Sequence, residues 1–225
     1  MAILPRLITT TSDMKVGIID YGVGNLGSVL RALEELQVTP VLVTRAADAH
    51  GPDCLILPGV GNFSDCARLL RDGDWFTALH DEVLGYQRPL LGVCVGMQLL
   101  ADRSTEGTAG GEETLGLGFI PGQVRHLRSF GCAMRVPHVG WNSITSTGTG
   151  DQLFDGIIDG TDFYFVHSYA FAPNRNTDVL AVTDYGVPIT AAVRRGRVWG
   201  TQFHPEKSSR AGFRLLKNFI DSSAC

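Results

Sequence analysis

Apolar residues follow two rhythms along the 225-residue chain. In the first half, short apolar runs at residues 16–20, 41–44, 54–57 and 89–93 read as buried strands. Between and after them, residues 26–36, 65–70, 75–85 and 97–101 carry helical patterns. Strands alternating with helices predict parallel βαβ units covered on both faces. The second half is richer in strands, predicted at 123–127, 162–166, 179–183, 189–193 and 198–203. Gly186 and Gly196 fall where hairpin turns belong, and a last helix at 212–220 puts Phe213, Leu216 and Ile220 at core spacing. Residues 102–114 and 143–150, rich in Gly or Thr, read as surface loops. The expectation is one α/β domain over residues 15–225, with a central, mostly parallel but mixed sheet flanked by helices. Residues 1–14 read as a disordered N-terminal extension, because Met14 directly precedes the first strand and Pro5 and Arg6 interrupt the only apolar patch.

Composition narrows the picture. The chain is 44% hydrophobic and 19% charged, enough to bury a sizeable core. A net charge of −4 without a basic stripe argues against nucleic acid and membrane surfaces as partners. No apolar run approaches the roughly 20 residues of a membrane span. The five cysteines are odd in number and form no CxxC pair, so a disulfide framework is not expected and a reducing cytoplasm fits. Cys54, Cys66 and Cys132 read as small buried hydrophobes, and Cys225 as a frayed terminus. The six histidines show neither HxH nor HExxH spacing, so no metal site is predicted.

Cys94 departs from that plain reading. In GVCVGMQLL an apolar strand runs into a cysteine framed by Gly92 and Gly96, and a helix follows. Small neighbours permit the sharp turn of a nucleophile elbow, and the start of a helix favours a thiolate. Downstream, GTQFHPEKS supplies His204 and Glu206. Pro205 biases His204 toward extended backbone, where side chains at i and i+2 share a side. Glu206 is then expected to hold the far imidazole nitrogen, while the near one takes the thiol proton. Cysteine, histidine and glutamate in this order point to a Cys-His-Glu hydrolase.

Other motifs surround this core chemistry. PGVGNF, residues 58–63, follows a strand, and Gly59, Val60 and Gly61 can turn backbone N–H groups to an oxyanion beside the Val95 N–H. The same segment reads equally as a strand-to-helix turn capped by Asn62 or Ser64. DYGVGNLGS, residues 20–28, matches a phosphate-binding turn only in part, and a turn lining the cleft is the better reading. Gln98, one helical turn after Cys94, is placed to orient a polar substrate group. PHVGWN and FYFVHSY combine aromatics with a histidine, and each alone reads as core packing or a satisfied polar residue. Trp141 suits an interface anchor and a core layer about equally.

Together these motifs resemble the class I (triad) glutamine amidotransferases. DYGVGNLGSV, PHVGWNSI and FYFVHSY are similar to one branch, the glutaminase subunits of imidazole glycerol phosphate synthases of histidine biosynthesis. The likeness spans Lys15 to the end. It implies that Cys94 attacks the side-chain amide of glutamine, that His204 acts as base and then acid, and that Glu206 orients His204. It implies an oxyanion hole around Val60 and Val95, a glutamine contact at Gln98, and no metal or organic cofactor. It also implies a (β/α)₈-barrel cyclase partner that receives the ammonia. Asn25, Tyr164 and Lys207 match positions at the mouth facing that partner, and Trp141 and Asn142 lie on a segment bordering the same interface. Two rivals are glutaminase service to another synthase and a non-catalytic subunit. PHVGWN argues against the first, and the intact Cys94, His204 and Glu206 against the second.

Overall fold

A computed structural model describes residues 14–148 and 150–224. The predicted extension at residues 1–14 therefore falls almost wholly outside the described residues, and Met14 itself is buried against the core. Strands β1 (Lys15–Ile19), β2 (Thr39–Val43), β3 (Cys54–Gly59) and β4 (Leu90–Cys94) alternate with α1 (Leu26–Glu35), α2 (Phe63–Asp72) and α3 (Trp75–His80). A short helix α4 (Val95–Leu99) leaves β4 without a linker. There follow β5 (Arg103–Ser104), β6 (Thr114–Leu115), β7 (Gly122–His126), β8 (His138–Ser146), β9 (Asp162–His167) and β10 (Tyr169–Pro173). The chain closes with β11 (Val179–Asp184), β12 (Pro188–Arg195), β13 (Val198–Thr201) and α5 (Ser209–Ser223).

Nine strands form the main sheet in the order β2-β1-β3-β4-β13-β12-β11-β8-β9. The run from β2 to β13 is parallel, and the remainder is antiparallel. The parallel strands are covered on both faces, so β3 and β4 are buried at every position. Burial alternates along the antiparallel edge, as in Phe163, Phe165 and His167 of β9. The two halves share one core. Ile18, Leu55, Ile56 and Leu90 meet Phe163, Phe165, Phe203 and Phe219 in it. A small second sheet, β10-β7-β5-β6, packs against β12 and α4 through β10.

Two predicted loops are partly strand. Residues 143–146 continue β8, and the 102–114 segment carries β5 and the start of β6. The Ser/Thr-rich end of β8 pairs with β11 but is half-exposed with only Ile144 buried, so its alternation is polar on one side and thin on the other. β10 was not predicted either. α4 starts two residues before the predicted helix, and α5 runs past the predicted 212–220 at both ends.

Candidate active site

The site lies at the carboxyl ends of the central parallel strands, where open α/β sheets bind ligands. Gly59 at the end of β3 pairs with Cys94 at the end of β4, and Val93 pairs with Thr201 at the end of β13. Three strand ends therefore deliver the PGVG loop, the cysteine and the His204 segment to one place. Cys94 has φ 56° and ψ −112°, a conformation costly for any residue with a Cβ. The turn stays closed because its glycines let backbones touch. A Cβ on Gly96 would sit 1.8 Å from the Leu57 carbonyl oxygen, and one on Gly92 would sit 2.6 Å from that of Gly96. A Cβ on Gly59 would meet the Gly96 nitrogen at 2.7 Å. Thus β3, β4 and α4 interlock through backbone atoms, and Cys94 is carried on the strained point of contact.

The Cys94 thiol is buried. It faces the Val166 carbonyl at 3.8 Å, and the Gln202 side-chain amide approaches it at 3.9 Å. His204 Nδ1 lies 2.8 Å from Glu206 Oε1. Its Nε2 is buried without a hydrogen bond and stands beside Cys94. Burial alone would push this imidazole down. Its close approach to the Cys94 sulfur, the Glu206 hydrogen bond and, after them, the charges of both groups reverse that and lift it to about 9, so the ring is held ready to carry a proton. Contrary to expectation, Glu206 does not reach the ring along extended backbone. Only His204 is extended, and Pro205–Lys207 forms a single 3₁₀ turn that swings the carboxylate back to Nδ1. Two bonds anchor this segment to β9. The His204 N–H donates to the Tyr164 carbonyl, and Ser208 Oγ bridges the Tyr164 N–H and the His204 carbonyl.

A family model described as glutamine amidotransferase class-I matches residues 17–222. The chain belongs to the class-I glutamine amidotransferase family. It is 45% identical over 214 residues to the imidazole glycerol phosphate synthase subunit HisH of Rhodospirillum rubrum, spanning 92% of this chain and 98% of that relative. The HisH subunit of Brucella abortus is 44% identical over 217 residues, with the same coverage. In fold, the chain is similar to a solved glutamine amidotransferase structure at a TM-score of 0.71, with 22% identity over 93% of this chain and 99% of that one.

Further predicted residues gather around Cys94. The Val60 carbonyl accepts from the Cys66 thiol at 3.4 Å, and Gly61 has φ 100°, so this loop is both tethered and glycine-hinged. Asn62 caps α2 by accepting from the Asp65 N–H at 2.9 Å, so the capping reading of PGVGNF also holds. Gly24 of the Asp20–Asn25 turn packs on Pro58, which places that turn against the same loop. Gln98 is buried, and its Nε2 donates to the Tyr169 carbonyl at 2.9 Å and to Gln202 Oε1 at 3.0 Å. Its Oε1 is buried with no hydrogen bond.

Beyond the pocket, Trp141, Tyr164 and Lys207 gather on one face. The Trp141 and Tyr164 rings meet edge-on at 6.0 Å, and Lys207 Nζ lies 5.9 Å from the Tyr164 ring centre. Trp141 is 53% exposed, which decides against the core-layer reading. Asn25 opens α1, which packs against the Pro205–Lys207 turn. Asn142 departs from the expectation. Side chains alternate along a strand, so Asn142 points away from the Trp141 face, and its Nδ2 donates to the Asp184 carbonyl at 2.8 Å.

Two residues near this cluster were not singled out in the sequence. Gln202 stands two residues before His204 at the end of β13, and that spacing was the available signal. Glu106 lies on the loop after β5 and accepts from the Phe63 N–H at 3.1 Å. Burial raises it to about 7, and its charge is felt by both Cys66 and Tyr169. A lone acid in a Gly/Thr-rich loop gives no sequence signal. Cys54, Cys66, Cys94 and Cys132 are buried free thiols, and burial pushes Cys54 up to about 12.

Proposed function

We propose that the chain is the glutaminase subunit of an imidazole glycerol phosphate synthase in histidine biosynthesis, releasing ammonia from glutamine through Cys94, His204 and Glu206. The thiolate of Cys94 attacks the side-chain amide carbon and forms a C–S bond. Charge that develops on the amide oxygen is met by the Val95 N–H and by an N–H of the Gly59–Val60–Gly61 loop. His204, protonated at Nε2, gives its proton to the amide nitrogen, and the C–N bond breaks to release ammonia. The γ-glutamyl thioester is then attacked by water, whose proton returns to His204, and glutamate leaves with the thiol restored. Glu206 fixes the ring through Nδ1 throughout. Gln98 Oε1 offers an acceptor to a substrate N–H, and Glu106 offers a carboxylate to the α-ammonium group.

The observation that carries this reading is the strained Cys94 with the His204–Glu206 pair beside it. A buried cysteine kept only for packing needs neither the positive φ nor an imidazole lifted by its charge. The 44–45% identity to HisH subunits points to the synthase served. Its partner is a (β/α)₈-barrel cyclase that uses the ammonia to form imidazole glycerol phosphate and AICAR in the cytoplasm. The Trp141–Tyr164–Lys207 face and Asn25 border the ammonia passage. Direct passage matters because water protonates free ammonia to unreactive ammonium. The test is ammonia release from glutamine with and without the barrel subunit and its nucleotide substrate. Release that needs both is expected. No release under any condition overturns the reading.

A further inference from the structure

Two buried histidines lie outside the chemistry described above. His138 on β8 and His167 at the end of β9 are paired across the strands, with 3.0 Å between His138 Nδ1 and His167 Nε2. They are 2% and 6% exposed. His138 is stacked between Phe165 and Tyr185, at ring-centre distances of 4.8 and 3.9 Å. The His138 ring cannot turn without disturbing both neighbours.

The proton positions follow from the partners. His167 Nδ1 lies 2.8 Å from the Tyr169 carbonyl, which only accepts, so Nδ1 carries the proton and Nε2 is a lone pair. His138 Nδ1 must then donate to it, which leaves His138 Nε2 as an acceptor. That nitrogen faces Asn142 Nδ2 at 3.4 Å. The Asn142 amide is itself oriented, because its Oδ1 accepts from the Ser143 N–H at 2.9 Å. A single donor direction therefore runs from Asn142 through His138 and His167 to the Tyr169 carbonyl. Burial supports it by pushing His138 down to about 4 and His167 to about 3, so both rings are neutral near pH 7.

The Tyr169 carbonyl also accepts from Gln98 Nε2. An amide has two ends, and which end meets this carbonyl decides which one faces the pocket. We propose that His138 and His167 are positioning residues for glutamine, fixing the Tyr169 carbonyl so that Gln98 keeps its NH₂ inward and its Oε1 toward the substrate. The proposal rests on the glutaminase reading. Without the dyad the carbonyl shifts and only the Gln202 Oε1 bond at 3.0 Å still holds the Gln98 NH₂ inward, so the amide turns more readily and presents a donor where the substrate brings one.

The test sets shape against hydrogen bonding in the complete complex with the barrel subunit and nucleotide. His167→Leu keeps the volume but loses the donor, whereas His167→Asn leaves a gap but retains a nitrogen near the Nδ1 position. Loss of a buried hydrogen bond is expected to raise the glutamine KM about tenfold in His167→Leu, with a smaller fall in kcat. In His167→Asn the KM should stay within about threefold of wild type. The reverse order, or an unchanged KM in His167→Leu, overturns the proposal. If the variants fail to fold, two-bond ¹H–¹⁵N spectra of ring-labelled wild-type protein decide instead. Both rings should be neutral with the proton on Nδ1, and an Nε2–H or charged ring at either position refutes the chain of donors. A wild-type complex that releases no ammonia would sink the glutaminase reading alone, since the spectra test the dyad independently.

Discussion

At the Cys94 elbow, backbone meets backbone. Gly59, Gly92 and Gly96 bring β3, β4 and α4 into contact with no side chain between them. On the β8–β9 hairpin side chains set the geometry instead, with Trp141, Tyr164 and Val166 on one face and His138, Phe163, Phe165 and His167 on the other. The elbow has one permitted shape and fails when an atom is added. The hairpin is a set of separable contacts, each open to adjustment. A nucleophile needs the first kind of support. On the proposed reading, a surface that meets a partner suits the second.

The sharpest way to break the comparison is chemical. Cys94→Ala should abolish glutamine hydrolysis while ammonia-dependent synthesis by the complex survives, and His204→Asn should come close to that loss. Glu206→Gln should lose less, since it disturbs orientation rather than the proton acceptor. A Glu206→Gln loss exceeding that of His204→Asn in assays at saturating glutamine would reverse these roles.

Next comes packing. Gly96→Ala forces a methyl group against the Leu57 carbonyl and should cost about 3 kcal/mol in urea unfolding. Val139→Ala, at a residue 55% exposed on the hairpin, should change stability by no more than about 0.5 kcal/mol. Equal effects would remove the distinction between the two regions.

The two regions also titrate in opposite senses. His204 rises on folding from 6.5 to about 9, so its stabilisation is complete below pH 6.5 and is lost as pH climbs toward 9. His138 and His167 fall from 6.5 to about 4 and about 3, so theirs is complete above pH 6.5 and is lost as pH drops through that range. Each displaced unit is on the order of 1 kcal/mol. Glu106, raised from 4.5 to about 7, loses its stabilisation across that range as pH rises and so opposes the acid-side gain of the two histidines, and variants must separate the contributions. Unfolding midpoints across pH should show a flatter alkaline limb in Cys94→Ala and a flatter acid limb in His138→Leu. A small stability effect is expected from Trp141→Ala. It should weaken coupling between the two reactions more than it lowers the melting temperature, and a large drop in melting temperature with coupling intact would overturn the interface role.

The same contrast explains what could be read from the chain. The elbow is written locally, as a buried apolar run, a Gly-framed cysteine and a helix, and the 58–63 turn likewise carries its own glycines and cap. The parallel half was legible because buried strands are continuous apolar runs. β8 and β10 were not, because β8 (HVGWNSITS) is broken by Gly and Ser/Thr and β10 (YAFAP) is only five residues ending in Pro, so neither shows such a run. Glu106 and the His138–His167 pair were invisible for another reason. Their partners are 43 and 29 residues away, and no local pattern encodes a contact made by the sheet order.

The positive φ of Cys94 sets selection for stability against selection for activity at a single position. Glycine adopts φ 56° without the strain that any Cβ brings, so Cys94→Gly should relieve about 1 kcal/mol even though it deletes the thiol. Any search for sturdier variants of this protein, in the laboratory or by sequence design, will be drawn toward erasing its most reactive atom. What keeps a cysteine there is a requirement imposed on the folded chain from outside its own energetics.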